Sequence, residues 1–275
     1  MSLKRILLPA ALLAVIVVVA FETKAHTLRV IATRGAVEPG RPTTIYLSWG
    51  HLLPVDELVR GDDLETYDLH SPSGSATPLK RDELSLQANA LRFEESGVYQ
   101  VAATRKMAIF TRYTDAEGKA VHAMQGKDTL ELPAGAEIDL SARSRQFAKS
   151  IVVCGEPNGG GLVEPIGHDL EIVVESPMES HGYGLDAPIQ VRVLFLGQPL
   201  AGATLVAAST TLNPDGLPDA SIETDAEGRA KLNLFEPGTW VLEVYHRLDA
   251  PEESRHQYDT ESFTASLTIP ISEHE

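Results

Sequence analysis

Nine histidines are the residues of this chain best suited to hold a transition metal, and His26 stands out among them. Residues 1–25 read as a secretory leader. Lys4 and Arg5 form a basic start, Ile6 to Phe21 an apolar run, and Thr23-Lys24-Ala25 puts small residues at −3 and −1. The run is shorter than the ~20 residues a spanning helix prefers, which argues for cleavage over an uncleaved anchor. Cleavage after Ala25 would put a free α-amine and an imidazole on one residue. Such a terminus chelates nickel, copper or zinc through two nitrogens. A cut after Ala20, or none, would remove the amine and leave His26 simply as the first residue of a strand.

His51 follows Gly50 at the end of an expected strand, in a loop carrying Asp56, Glu57, Asp62 and Asp63. Strand-end loops gather ligands at one pole of a sandwich, but a turn histidine bonded to backbone has the same sequence. His246 closes the strand Trp240–His246, where alternation puts it on one face with Trp240, Leu242 and Val244. These residues alone favour a core histidine over a ligand. His122 and Met124, two apart, would share a strand face. His181 sits in a Gly-Tyr-Gly loop and His256 in an acidic, solvated stretch, while His70, His168 and His274 have no evident partner.

Composition narrows the classes. The 275 residues carry 39 acids against 23 bases, a formal charge of −16. So acidic a chain disfavours nucleic acid and anionic membranes as partners. Cys154 is the sole cysteine, which excludes an intramolecular disulfide and thiolate-rich zinc sites and suits a buried small hydrophobe. There is no nucleophile elbow, phosphate loop or zinc-protease helix, and no catalytic residue is assigned.

The elements that must position these histidines read as strands. Thr27–Thr33, Thr43–Trp49, Val98–Thr104, Leu170–Val174, Ile189–Leu196, Thr204–Ser209, Ala230–Leu234, Trp240–His246 and Phe263–Ile269 alternate or are β-branched, with Gly, Pro and Asp between them. The expectation is an all-β protein of two β-sandwich-like halves, 26–176 and 187–275. Leu140–Val153 lies between them, where Phe147, Ile151 and the flanking aliphatics suit a short helix running into a strand. Glu156–Gly161 breaks the pattern as a loop. Thr114–Ala120 and Thr224–Ala230 share the run Thr-Asp-Ala-Glu-Gly, read as one common hairpin turn used twice.

Two resemblances follow. Val191–Ala208 with its Gly197-x-Pro199-Leu-x-Gly202 turn, the Asp225–Gly228 turn and Glu236–Val244 resemble the transthyretin-like, carboxypeptidase-regulatory-like sandwich. The His26-Thr-Leu-Arg-Val start, Pro39-Gly40, Trp49-Gly50-His51 through Glu57, Arg145–Val152 and Phe263–Ile269 together resemble the periplasmic nickel/cobalt-uptake transport components, often filed as a domain of unknown function. That resemblance implies recurrent histidines at His26, His51 and His246. They would form one nitrogen-rich site for Ni(II) or Co(II), with Cu(II) an alternative, in an exported protein serving a membrane-embedded nickel/cobalt transporter. Two other readings stay open: a non-enzymatic adhesion or carbohydrate-binding sandwich, and a copper histidine-brace oxidase.

Overall fold

The computed structural model describes residues 26–83, 85–157, 161–212, 215 and 217–273. The expected leader and His274 lie outside the described residues. The chain is all-β. Before the connector come β1 (Thr27–Ala32), β2 (Ala36–Val37), β3 (Pro42–Gly50), β4 (Leu64–His70), β5 (Ala76–Pro78), β6 (Ala88–Arg92), β7 (Gly97–Thr114), β8 (Ala120–Ala123) and β9 (Glu137–Cys154). After it come β10 (Leu170–Val174), β11 (Tyr183–Gly184), β12 (Ile189–Phe195), β13 (Gln198–Pro199), β14 (Thr204–Ser209), β15 (Ala220–Glu223), β16 (Arg229–Leu232), β17 (Gly238–Asp249) and β18 (Thr260–Ser272).

A large central sheet runs β15-β14-β17-β18-β9-β7-β4-β5. A small sheet, β1-β3-β6, and a second one, with β12 between β10 and β16, pack on it. β9 shows how. Ala148, Val152 and Cys154 join Leu28, Val30, Ile45 and Leu47 in one core. Phe147, Ile151 and Val153 join Ile172, Val191, Val193 and Trp240 in the other. Successive strand residues point to opposite faces, so the two small sheets cover opposite sides of the central one. The segments expected as two halves also meet there, because β9 pairs in parallel with β18 from Thr260↔Ala142 to Thr268↔Ser150.

Of the short helix running into a strand expected over Leu140–Val153, only the strand is present, and the whole segment belongs to β9. A strand buried on both faces loses its polar–apolar alternation, and the continuous apolar run that remains cannot be told from a buried helix by periodicity. β18 is also covered on both sides but keeps its signature. Phe263, Ala265, Leu267, Ile269 and Ile271 enter one core, while Thr264, Ser266 and Thr268 are buried towards β1, where Ser266 Oγ donates to Leu28 O at 2.7 Å.

The repeated turn has the same construction at both places. Asp115 Oδ1 accepts from Glu117 N and Lys119 N, and Asp225 Oδ1 from Glu227 N and Arg229 N. Gly118 and Gly228 take the positive φ that an L side chain resists. The first turn closes the β7–β8 hairpin; the second carries the chain from the central sheet to the sheet of β12.

Candidate functional site

Antiparallel pairing of β1 with β3 brings the distant histidines together. The register Thr27↔Gly50 and Leu28↔Trp49 sets the residue before β1 beside the residue after β3. The rings of His26 and His51 meet edge to face with centroids 4.3 Å apart, and His26 stands 4.4 Å from Trp49 in the same manner. Glu57 pairs with Trp49 through the backbone, and its carboxylate lies 3.9 Å from His26 Nδ1.

Each part of this corner is held from beneath. Gln146 of β9 is buried and makes three bonds: Oε1 accepts from Leu28 N at 3.1 Å and Trp49 Nε1 at 3.0 Å, and Nε2 donates to His26 O at 2.8 Å. One amide thus fixes the His26 backbone and the indole beside its ring. Arg105 stacks on the Trp49 ring, 4.2 Å from its centroid, and reaches Asp63 at 3.8 Å.

The His51 loop is tied down by side chains because it has no ladder of its own. Asp56 Oδ2 accepts from His51 N at 2.7 Å and Leu52 N at 3.1 Å, and these bonds hold the carboxyl below its usual range. The approach requires Gly50, whose φ is +126° and where a Cβ would stand 2.3 Å from that carboxylate oxygen. Leu53 is buried against Ala208 and Val241, which anchors the loop to β14 and β17. Burial, reinforced by the neighbouring His26, lowers the pKa of His51, so its imidazole is neutral near pH 7 and free to ligate.

His246 is not part of this corner. It ends the face formed by Trp240, Leu242 and Val244, as alternation requires, and its ring rests edge-on against Phe195 at 4.6 Å. Glu243, of opposite parity on β17, is the residue that reaches Arg29 of β1. The central sheet therefore separates His246 from His26 and His51. The residues fit a metal only in part: two imidazoles converge and the third expected one does not. Among the described residues no group of three or more His, Cys, Asp or Glu is arranged to hold an ion.

A model of the DUF4198 domain, a domain of unknown function, matches residues 23–248. The chain belongs to the DUF4198 family. No curated protein matches it. Among solved structures, this DUF4198 chain is similar to the D0-D1 domain of Intimin, with 11% identity over 88% of this chain and 96% of that one and a TM-score of 0.24. The three N-terminal domains of the bacteriophage RB49 outer capsid protein Hoc match at 12% identity over 90% of this chain and 59% of that one, with a TM-score of 0.19.

The DUF4198 chain holds a second polar cluster that sequence reasoning missed. Lys149 of β9 and Glu171 of β10 form an ion pair at 2.5 Å with side chains only 2% and 1% exposed. Glu171 also accepts from the backbone N–H groups of Ile166, Gly167 and His168, so the connector before β10 wraps its carboxylate. His168, with no partner in the sequence reading, packs on Phe147 at 5.1 Å and lies 3.5 Å from Thr104 Oγ1. Burial pushes its pKa down to about 3. Neither Lys149 nor Glu171 carries a sequence signal, because each is a single charge inside a strand.

Proposed function

We propose that this DUF4198 protein is an exported, non-enzymatic metal-binding accessory of a nickel/cobalt uptake system, cleaved after Ala25. Its cargo is one divalent transition metal, held by the α-amine and imidazole of His26 and by the imidazole of His51. The observation that carries this reading is the 4.3 Å separation of the two rings. A metal–nitrogen bond of about 2.1 Å puts the ion about 3.2 Å from each imidazole centroid. Two rings at right angles about one ion would then lie about 4.5 Å apart, tetrahedral neighbours about 5.2 Å, and rings on opposite sides about 6.4 Å. The separation fits adjacent positions of a square-planar or octahedral ion, which suits Ni(II), Co(II) or Cu(II) better than tetrahedral Zn(II).

His246 is outside the proposed ligand set. Glu57, beside His26 Nδ1, supplies negative charge that offsets the ion's double positive charge. Affinity order among these metals favours copper, so nickel or cobalt selectivity would rest on supply or on the transporter partner.

Calorimetry on protein that begins at His26 tests the reading. One ion should bind per chain, and both a one-residue extension before His26 and His51→Ala should weaken binding at least about ten-fold, or ~1.4 kcal/mol. Nickel, cobalt and copper binding that all survive both changes would sink it.

A further inference from the structure

We infer that Glu243 and Arg29 are positioning residues for His51, through a relay that starts on β17 and ends at the peptide groups flanking the imidazole. The inference rests on the proposed metal-binding role of His26 and His51. Arg29 lies on β1 with its side chain only 3% exposed. Its Nε donates to Glu243 Oε1 at 2.7 Å, which fixes the plane of the guanidinium. Its Nη1 then donates to Gly50 O at 3.1 Å and reaches Leu52 O at 3.5 Å. Gly50 and Leu52 are the neighbours of His51 in the chain. Asp56 takes the N–H groups of His51 and Leu52 from the other side. Arg29 and Asp56 therefore grip the Gly50–His51 peptide together, Asp56 holds the His51–Leu52 peptide, and Arg29 reaches the peptide after it.

An exposed imidazole on a loop must be ordered before it can chelate, and each rotor frozen on binding weakens the complex. The relay does that ordering in the apo protein. Glu243 has a second effect. An unpaired guanidinium beside the loop would repel an incoming divalent cation, and the carboxylate 2.7 Å from Arg29 Nε cancels that field. The residue that prepares the N-terminal site thus belongs to the C-terminal part of the sequence, on the same face of β17 as Val241, which anchors Leu53.

Glu243→Gln tests this, because it keeps the shape and removes the charge, with Arg29→Lys as a second variant that keeps charge and loses the fork. Two measurements are made on protein beginning at His26: amide hydrogen exchange without metal, and calorimetric titration with nickel and with copper. In both variants the His51 and Leu52 amides should exchange at least about ten-fold faster while Val30 and Leu47 in the β1–β3 ladder keep their rates. Metal affinity should fall about 10- to 100-fold, the range for partners that orient ligands. A purely structural loss would speed the ladder amides as well, and that result would overturn the inference. So would unchanged exchange at His51, or changed exchange with unchanged affinity. If the unsubstituted protein binds neither metal, the metal reading has failed by itself, and the inference falls with it even where exchange at His51 responds.

Discussion

Lys149 Nζ and Glu171 Oε1 sit 2.5 Å apart in the interior of the protein, joining β9 of the central sheet to β10 of the covering one. Two opposite charges sealed from water are stable only as a pair. Lys149→Met should cost about 3–5 kcal/mol, because it strands a carboxylate. Lys149→Met with Glu171→Leu should recover part of the loss and not all, since the backbone donors of Ile166, Gly167 and His168 then lose their acceptor. Urea unfolding of the two variants checks both statements, and equal stability of the single and double variants would contradict them.

Acid sensitivity should be traceable to His168. Its folded pKa of about 3 lies below the ordinary histidine value near ~6.5, so protons bind the unfolded chain first. The stability this neutral ring contributes is complete above pH ~6.5 and drains away as pH falls towards ~3, by an amount on the order of 4 kcal/mol. His168→Phe should flatten the unfolding free energy between pH 6 and 4, roughly the window these pKa values define. An unchanged pH slope would show that the ring is not buried neutral.

Gly50→Ala should damage the His51 loop more than the rest of the fold. The new Cβ meets Asp56 Oδ2 at 2.3 Å at a backbone φ of +126°, so either strain of about 1–3 kcal/mol or displacement of Asp56 follows. Nuclear magnetic resonance should show altered His51 and Leu52 amide shifts with the β1–β3 ladder unperturbed.

Trp49 should report on the site. Its ring lies 4.4 Å from His26 and on the opposite side of the central sheet from the Trp240 side chain, which is buried in the other core. Binding of Cu(II) or Ni(II) should quench Trp49 emission, and Trp49→Phe should abolish the response while Trp240 still fluoresces. Quenching that persists in Trp49→Phe would put the ion elsewhere.

The longer buried strands were mostly legible from sequence, with Leu170–Val174 and Thr204–Ser209 matching in full, whereas β4, β6 and β8 were not read. β9 was read only in part, because burial on both faces erases alternation and a run of this length, unlike the short Leu170–Val174, also suits a helix. The face of His246 could be read from Trp240, Leu242 and Val244. What could not be read is that β1 packs on β9 and β18 and sends Arg29 to Glu243 on the other face of β17, since that depends on the packing of sheets remote in sequence. The closeness of His26 and His51 follows from the β1–β3 register, which no local feature near His26 encodes. Arg29, Gln146 and Glu243 were invisible for the same reason: their roles arise only where three strands from separate parts of the chain meet.

The arrangement of β9 also limits how this protein can change length. One inserted or deleted residue between Phe147 and Cys154 would exchange the side chains serving the two cores, sending Phe147, Ile151 and Val153 into spaces shaped for Ala148, Val152 and Cys154. Each core would then be overfilled or hollow. In the neighbouring strand β7 one extra residue is accommodated as a bulge between Arg105 and Ala108, where two residues face one on β9, beside Gln146, where β1 begins and its cover ends. Length variation among related chains should therefore collect at that bulge and in the β7–β8 hairpin beyond it, while β9 drifts in residue type but keeps its count.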